Sequence, residues 1–432
     1  MSTAIATAIL LGVFIVLLLL KVPITFSLAI SALATAFYLH VPFVAVLQNM
    51  VNGLNSFSLI TIPLFIVAGE IMSQGGISTR IVNFAKVIVG RFRGGLAMVD
   101  VLASFFFGGL SGSSVADATS IGTIMIPMMV NDGYDKDYAV DVTMASATQG
   151  VLVPPSHNLI IYSLAAGGTS IGALFMAGIL PGVFLGICVM ILAYIMAVVR
   201  RYPKGKGFDL KTSLKMLRDG ILGLLTIVII MVCIITGICT ATESAAVAVV
   251  YAFVITFFVY REVPLKTMLP ILRKSLTTIA MVLSLIAASQ AFGWIIGYIQ
   301  LPALVTGGLL ALTHNKIVLM LLINLILLFL GCIMDMAPII LIATPILLPI
   351  VTHLGMSPVQ FGIVLMMNLG IGLLTPPVGS TLFVGCSITN IPMEKVAKSL
   401  MPFYAVMLVA LLVLTFVPQI SLFLPTVLGA LK

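Results

Sequence analysis

Long apolar stretches separated by short polar intervals run through the whole chain, and their lengths predict the elements. Stretches 3–20, 22–40 and 55–74 can each cross a hydrocarbon core of ~30 Å as a helix. Ser78–Gly95 instead mixes apolar residues with Arg80, Lys86, Arg91 and Arg93, the pattern of a helix lying at the membrane interface. Leu96–Gly109 and Val115–Val130 are apolar but too short to span: 14 to 16 residues reach only about 21–24 Å at ~1.5 Å per residue. Joined by the polar tip Leu110-Ser-Gly-Ser-Ser114, they predict a re-entrant helical hairpin over 96–130. The stretch 138–165 is long enough to span but is broken at Val153-Pro-Pro-Ser-His-Asn158, and Ile171–Val199 is a plain span.

Residues 200–218 hold Arg200, Arg201, Lys204, Lys206, Lys211, Lys215 and Arg218, the longest polar interval, and predict a linker. Past it the pattern returns, with spans near 219–236, 242–260 and 275–297 and a short piece at 301–314. A second hairpin at 317–352, a second broken span at 358–390 and a last span at 401–428 complete it. Phe107, Gly109, Pro127, Gly150, Leu152, Pro154 and Pro155 recur without a gap, 222 residues on, as Phe329, Gly331, Pro349, Gly372, Leu374, Pro376 and Pro377. Residues 1–199 and 219–432 therefore read as two repeats. Broken apolar segments at matching places in two halves are the best sequence pointer to the binding site of a secondary transporter.

Charge sets the orientation. With Lys21 inside, only Lys316 and Lys432 of the 21 Lys/Arg fall outside, an excess of the sign that fixes topology. Each hairpin counts as an even crossing, so the repeats come out inverted. Hairpin one then opens from the cytoplasm and hairpin two from the outside.

Composition narrows the class. The 432 residues are 61% hydrophobic and 8% charged, against roughly 25% charged in soluble domains, so most of the surface must face lipid. The formal charge of +8 does not point to nucleic acid, because the cations sit in short loops between apolar runs. Met1–Leu20 lacks a basic start, which argues against a cleaved signal peptide. Cys188, Cys233, Cys239, Cys332 and Cys386 lie in apolar stretches without CxxC spacing, as small lipid- or core-facing residues do. His40, His157, His314 and His353 are scattered, and neither HExxH nor GxxxxGK[ST] occurs. Nothing here hydrolyses ATP or forms a catalytic constellation, so any transport is driven by an ion gradient or another subunit.

The chemistry left is that of broken helices. At the tip Ser111-Gly-Ser-Ser114 the first half-helix ends in free carbonyls suited to a cation, and the second begins with N–H groups suited to an anion. Non-helical backbone at this depth is tolerated only where it is buried or lines a cavity. Facing the tip, Gly150–Ser156 unwinds because Pro154 and Pro155 have no N–H to donate. Carbonyls plus serine hydroxyls suit a hard cation such as Na⁺. A single Pro-Pro would be read as a structural kink; two matched pairs favour a site. In the second copy the tip is Gly331-Cys-Ile-Met-Asp335 and the break Gly372-Leu-Leu-Thr-Pro-Pro-Val-Gly-Ser380, so backbone carbonyls and Thr375 must supply ligands there. Among acids in apolar runs, Glu70, Asp117, Glu243 and Asp335 are candidates for function. Asp117 can equally serve as a favourable charge in a first helical turn, and Glu243 can cap the helix after it. Asp132, Asp135 and Asp137 read as a solvated cytoplasmic loop. His157 and Asn158 are either substrate contacts or buried hydrogen bonders.

Ser56-Phe-Ser-Leu, Ile62-Pro-Leu-Phe-Ile-Val-Ala-Gly-Glu70 and Leu110-Ser-Gly-Ser-Ser-Val-Ala-Asp117 resemble the large membrane subunit of tripartite ATP-independent periplasmic (TRAP) transporters. So do Met334-Asp335, Thr344-Pro345 and Gly370-Ile-Gly-Leu-Leu-Thr-Pro-Pro-Val-Gly379, and the likeness covers the whole chain. The resemblance implies an all-α elevator carrier of the ion-transporter group: an inner-membrane scaffold with inverted repeats, and a transport domain of two re-entrant hairpins and two broken helices. It implies import of an organic acid anion, of C4-dicarboxylate or sugar-acid type, with Na⁺, beside a small four-helix membrane subunit and a periplasmic substrate-binding protein. By resemblance one sodium falls on Ser111, Ser114, Gly150, Val153 and Pro155. Repeat symmetry, adjusted for the altered tip, places the other on Gly331, Met334, Gly372, Thr375 and Val378. The anion is expected between them, near Ser113, Ser156, His157, Asn158, Ser380 and Thr381. Two features depart from the family pattern: Thr240-Ala-Thr-Glu243 stands for Thr-Pro-Thr-Glu, and His157-Asn158 replaces a commoner apolar pair. The nearest alternative is a stand-alone dicarboxylate or other anion–sodium symporter of the same superfold. A channel or a membrane enzyme fits less well, since the polar groups cluster at two breaks and no catalytic set is present.

Overall fold

The computed structural model describes residues 3–205, 210–313 and 315–431. The 206–209 part of the expected linker, His314 and Lys432 lie outside the described residues. The first half holds α1 Thr3–Leu19, α2 Ile24–Tyr38, α3 Phe43–Leu54, α4 Thr61–Gln74, α5 Ile77–Val89 and α6 Gly95–Ser111. It continues with α7 Ser114–Ser120, α8 Gly122–Asn131, α9 Lys136–Ala147, α10 Gln149–Leu152, α11 His157–Ala165 and α12 Ile171–Val199. The second half holds α13 Leu210–Ile235, α14 Ala241–Val254, α15 Met268–Tyr298, α16 Leu301–Leu312, α17 Lys316–Ile333 and α18 Met336–His353. It ends with α19 Pro358–Gly372, α20 Ser380–Thr389, α21 Met393–Ser399, α22 Met401–Phe416 and α23 Pro418–Val427. Among the described residues seven helices are long and apolar enough to cross a membrane, or eight if the bent pair α21–α22 is one span. The chain is an all-α, multi-pass membrane protein.

The outside of the bundle is as apolar as its core. Leu19, Leu20, Phe37, Ile238 and Leu269 are among many large side chains left exposed, which in water would be an aggregation liability and in lipid is the contact surface. Inside, two sets of helices pack closely and are joined to each other by α5 on α6 and α15 on α18. One sets α2 and α3 on α15, α4 on α14 and α15, and α5 on α13. The other sets α6 on α9, α17 on α19 and α7 on α20, with α12 against α6, α19, α22 and α23.

Four boundaries differ from the sequence pattern. The interval between the stretches 22–40 and 55–74 contains α3, whose 12 residues are too few to span and which carries Gln48, Asn49 and Asn52. The second arm of hairpin one is two helices, α7 and α8, parted at Ile121 before Gly122. Helix α13 starts at Leu210, inside the interval read as linker, because its first turns are amphipathic rather than loop-like. The last span is divided at Pro418, which cannot continue a ladder it has no N–H to join.

Candidate functional site

Hairpin one's first arm ends where Gly112 turns left-handed, at φ 62°. The N-cap Ser113 then accepts a long hydrogen bond from the Ala116 N–H at 3.4 Å, and α7 begins at Ser114. Opposite, α10 ends at Leu152, Val153 and Ser156 are extended, and α11 starts at His157. The two pieces of backbone meet directly. A Cβ on Gly108 would lie 2.4 Å from the Gly150 Cα, and one on Gly112 would lie 2.9 Å from the Ser156 Cα, so no side chain fits between tip and break. The carbonyl of Gly112 accepts from the Ser156 hydroxyl at 3.5 Å and from the Asn158 amide at 3.3 Å.

Hairpin two repeats this with other side chains. Its arms α17 and α18 are joined through extended Met334 and the N-cap Asp335, whose side chain makes no capping bond. A Cβ on Gly372 would lie 2.5 Å from the Gly331 Cα, the same backbone approach as in the first half. The Val378 N–H donates to the Cys332 carbonyl at 3.1 Å, and Gly379, at φ 45°, leads into α20. The Pro154–Pro155 and Pro376–Pro377 bonds are both cis. Among the described residues the carbonyls of Val153, Pro154 and Pro155 accept no hydrogen bond, nor do those of Thr375, Pro376 and Pro377. Each break therefore carries three backbone oxygens that accept no hydrogen bond from the described residues and could serve a cation.

The two clefts also touch each other. Ser114 at the first tip shares a 3.0 Å hydrogen bond with Thr381 at the start of α20, and the Asn158 amide lies 3.8 Å from the Met336 sulfur at the second tip. The second half-helix of each break thus packs on the other repeat's hairpin. Ser114, Ser156, Asn158 and Thr381 are buried, while Ser111, Ser113, His157, Thr375 and Ser380 are half-buried. The Ser380 oxygen has no hydrogen-bond partner among the described residues. Thr375 donates backward to the Ile371 carbonyl at 2.9 Å, which uses its proton and leaves its lone pairs. No cluster of three or more His, Cys, Asp and Glu suited to a metal occurs among the described residues, so a cation here would be held by carbonyls and hydroxyls.

Of the acids, Glu243 closes a capping box: its carboxylate accepts from the Thr240 N–H at 2.7 Å, and its own N–H donates to the Thr240 hydroxyl at 3.2 Å. Ala241 in place of proline leaves that helix start intact. Glu70 pairs with Lys274 at 2.7 Å, between α4 and α15. Asp135 is no free loop residue, since Tyr202 and Arg200 bond it at 2.7 and 3.1 Å. The sequence reading passes over Asp100 and Asp141, both fully buried. Asp100 is the one acid of α6, and that was the available signal; Asp141 shares α9 with Asp137.

The family profile described as "Tripartite ATP-independent periplasmic transporter, DctM component" matches residues 11–420. The chain belongs to this family. YgiK of Salmonella typhimurium is 43% identical over 421 residues, covering 97% of each chain. The sialic acid TRAP transporter large permease protein SiaM of Vibrio cholerae is 37% identical over 412 residues, covering 95% of this chain and 96% of that one. Among solved structures, the YdaH transporter of Alcanivorax borkumensis superposes with a TM-score of 0.63 over 93% of this chain and 96% of its own. At 16% identity that likeness speaks for the fold alone. This TRAP permease is accordingly an inner-membrane transport component, not an enzyme.

Proposed function

We propose that this TRAP permease imports an organic acid anion, of C4-dicarboxylate or sugar-acid type, together with Na⁺. In this reading a periplasmic binding protein delivers the anion and a small four-helix membrane subunit stands beside the chain. The observation that carries the proposal is the matched pair of clefts, where two glycine backbones meet and three proline-region carbonyls stay free. Ser111, Ser114, Gly150, Val153 and Pro155 would hold one Na⁺; Gly331, Met334, Gly372, Thr375 and Val378 would hold another. The anion would sit between them against Ser113, Ser156, His157, Asn158, Ser380 and Thr381, a reading supported by the Ser114–Thr381 bond that joins the clefts. The sialic acid named for the Vibrio cholerae relative is a sugar acid, which favours that substrate class.

The same reading makes the two halves inverted repeats and the hairpins re-entrant. The helices around both clefts would move as one elevator unit against α2–α5 and α13–α15, with α5 on α6 and α15 on α18 as the contacts that would have to slide or bend. Two Na⁺ moving inward are worth about 4.6 kcal/mol at 100 mV, and a monoanion cancels about half of this. The test is uptake in vesicles containing the permease, its small subunit and the binding protein. Import is expected to stop when Na⁺ is replaced by K⁺; unchanged uptake overturns the proposal. Uptake by vesicles holding this chain alone would instead favour the stand-alone symporter.

A further inference from the structure

Hairpin one contains a second polar cluster, away from the tip. Asp100 and Ser104 lie one turn apart on α6, both with 0% exposure, and so share a face. Ser104 faces Asp117 on α7, also fully buried, and the Thr143 hydroxyl on α9 lies 2.5 Å from Asp100 and 2.8 Å from the Ala139 carbonyl, with one proton to give to either. Four oxygens of this cluster have no hydrogen bond from any described residue: Asp100 Oδ1, Ser104 Oγ and both carboxylate oxygens of Asp117. No ion pair among the described residues includes Asp100 or Asp117. Buried carboxylates without a cation are among the most costly arrangements a membrane protein can hold.

The second repeat shows that the fold does not require them. At the offset-matched positions stand Leu322, Ile326, Ile339 and Leu365. In the register set by the Gly108 and Gly331 contacts, the first two become Ile323 and Leu327, and the cluster is aliphatic either way. At these positions the second repeat carries hydrocarbon and no charge, and the buried polar contact of its α17 on α19, Asn368 to Asn324 at 2.8 Å, is between neutral amides. An aliphatic cluster would be the more stable choice, so the polar one answers to a ligand rather than to packing.

We propose that Asp100, Ser104, Asp117 and Thr143 form a third cation site, specific to the first repeat and taking Na⁺. A hard cation draws on carboxylate and hydroxyl oxygens together and supplies the missing positive charge. Bound there, the ion ties α6 to α7 and α9 and so stiffens the hairpin that carries the tip. The site deepens the Na⁺-coupled reading, but its residues are distinct from those of the two clefts.

The test counts ions on the purified full-length chain in lipid nanodiscs, by equilibrium binding of radioactive Na⁺, beside melting temperatures with and without Na⁺. Asp117→Asn is expected to bind one ion fewer than the parent, and Ser111→Ala with Ser114→Ala also one fewer. The combination should lose both. Ser104→Ala keeps the charge and should raise half-saturation of the Asp117-dependent ion about tenfold, the lower end of what losing a supporting oxygen costs a metal. If Asp117→Asn does not fold, the graft Asp100→Leu, Ser104→Ile, Asp117→Ile, Thr143→Leu replaces it, since the second repeat packs those side chains. The graft should melt no lower than the parent in the absence of Na⁺ and should lose one bound ion. A folded Asp117→Asn or graft with the parent's ion count overturns the third site, as does an unshifted Ser104→Ala. Failure of the cleft reading looks different: the serine variant would then keep every ion while Asp117→Asn still loses one.

Discussion

The two hairpin tips have the same backbone and different side chains. In both, a glycine pair brings hairpin and break into direct contact and the carbonyls around the Pro-Pro pair accept no hydrogen bond from the described residues. At the first tip Ser111, Ser113 and Ser114 surround the turn, and at the second the offset-matched residues are Ile333, Asp335 and Met336. What is common to both is what main-chain geometry needs, so the cation-binding capacity we infer rests first on backbone. What differs is the supply of hydroxyls and buried acids, all richer in the first half. The halves are alike in architecture and unlike in ion chemistry.

The largest effect should come from breaking what they share. A methyl on Gly108 or on Gly372 meets backbone at 2.4 or 2.5 Å, where nothing can swing aside. Gly108→Ala and Gly372→Ala should each lower stability by about 1–3 kcal/mol, as overpacking does, and reduce import below about a tenth. Gly12→Ala, in α1 with no atom within 4 Å, should raise stability by up to about 1 kcal/mol and leave import unchanged. Thermal melts and uptake on the same preparations check both. Equal tolerance of all three would show that the hairpin–break contact is looser than described.

Next in size are effects that separate the clefts. Ser111→Ala with Ser114→Ala should raise the Na⁺ needed for half-maximal uptake at least about tenfold, since two ligands of one ion are lost together, and lower the Hill coefficient toward one. Thr375→Val should do the same through the other cleft, where Thr375 is the one hydroxyl among the proposed ligands. A Na⁺ titration of uptake that matched the parent in either variant would remove that cleft from the coupling scheme.

The fold was legible because membrane helices write themselves as apolar length and because the repeat kept its punctuation. Gly150 and Gly372, Pro154 and Pro376 mark the breaks in the sequence as in the structure. Length alone could not show α3, which is short and amphipathic, or the parting of α7 from α8 at Ile121. The clefts were readable one at a time, whereas the Ser114–Thr381 bond joins residues 267 positions apart that no local pattern connects. Asp100 was missed for a related reason. A single acid in an apolar run carries little meaning until Thr143, Ser104 and Asp117 are seen around it.

The smallest effect sharpens the comparison most. Ser113 and Asp335 hold the same N-cap position in the two repeats, but only Ser113 accepts a capping bond. Ser113→Ala should therefore cost about 1 kcal/mol of stability, the usual value of a lost cap, read as a lower melting temperature. Asp335 is exposed by surface area and its side chain makes no capping bond at the start of α18. On that geometry Asp335→Asn should leave melting unchanged and shift the Na⁺ dependence of uptake by no more than about twofold, the residual attraction of one solvated charge near the cleft. A tenfold shift would mean that Asp335 reaches the ion directly. The second tip would then replace the hydroxyls it lacks with a carboxylate, and the two clefts would differ in the charge of their ligands rather than only in their number.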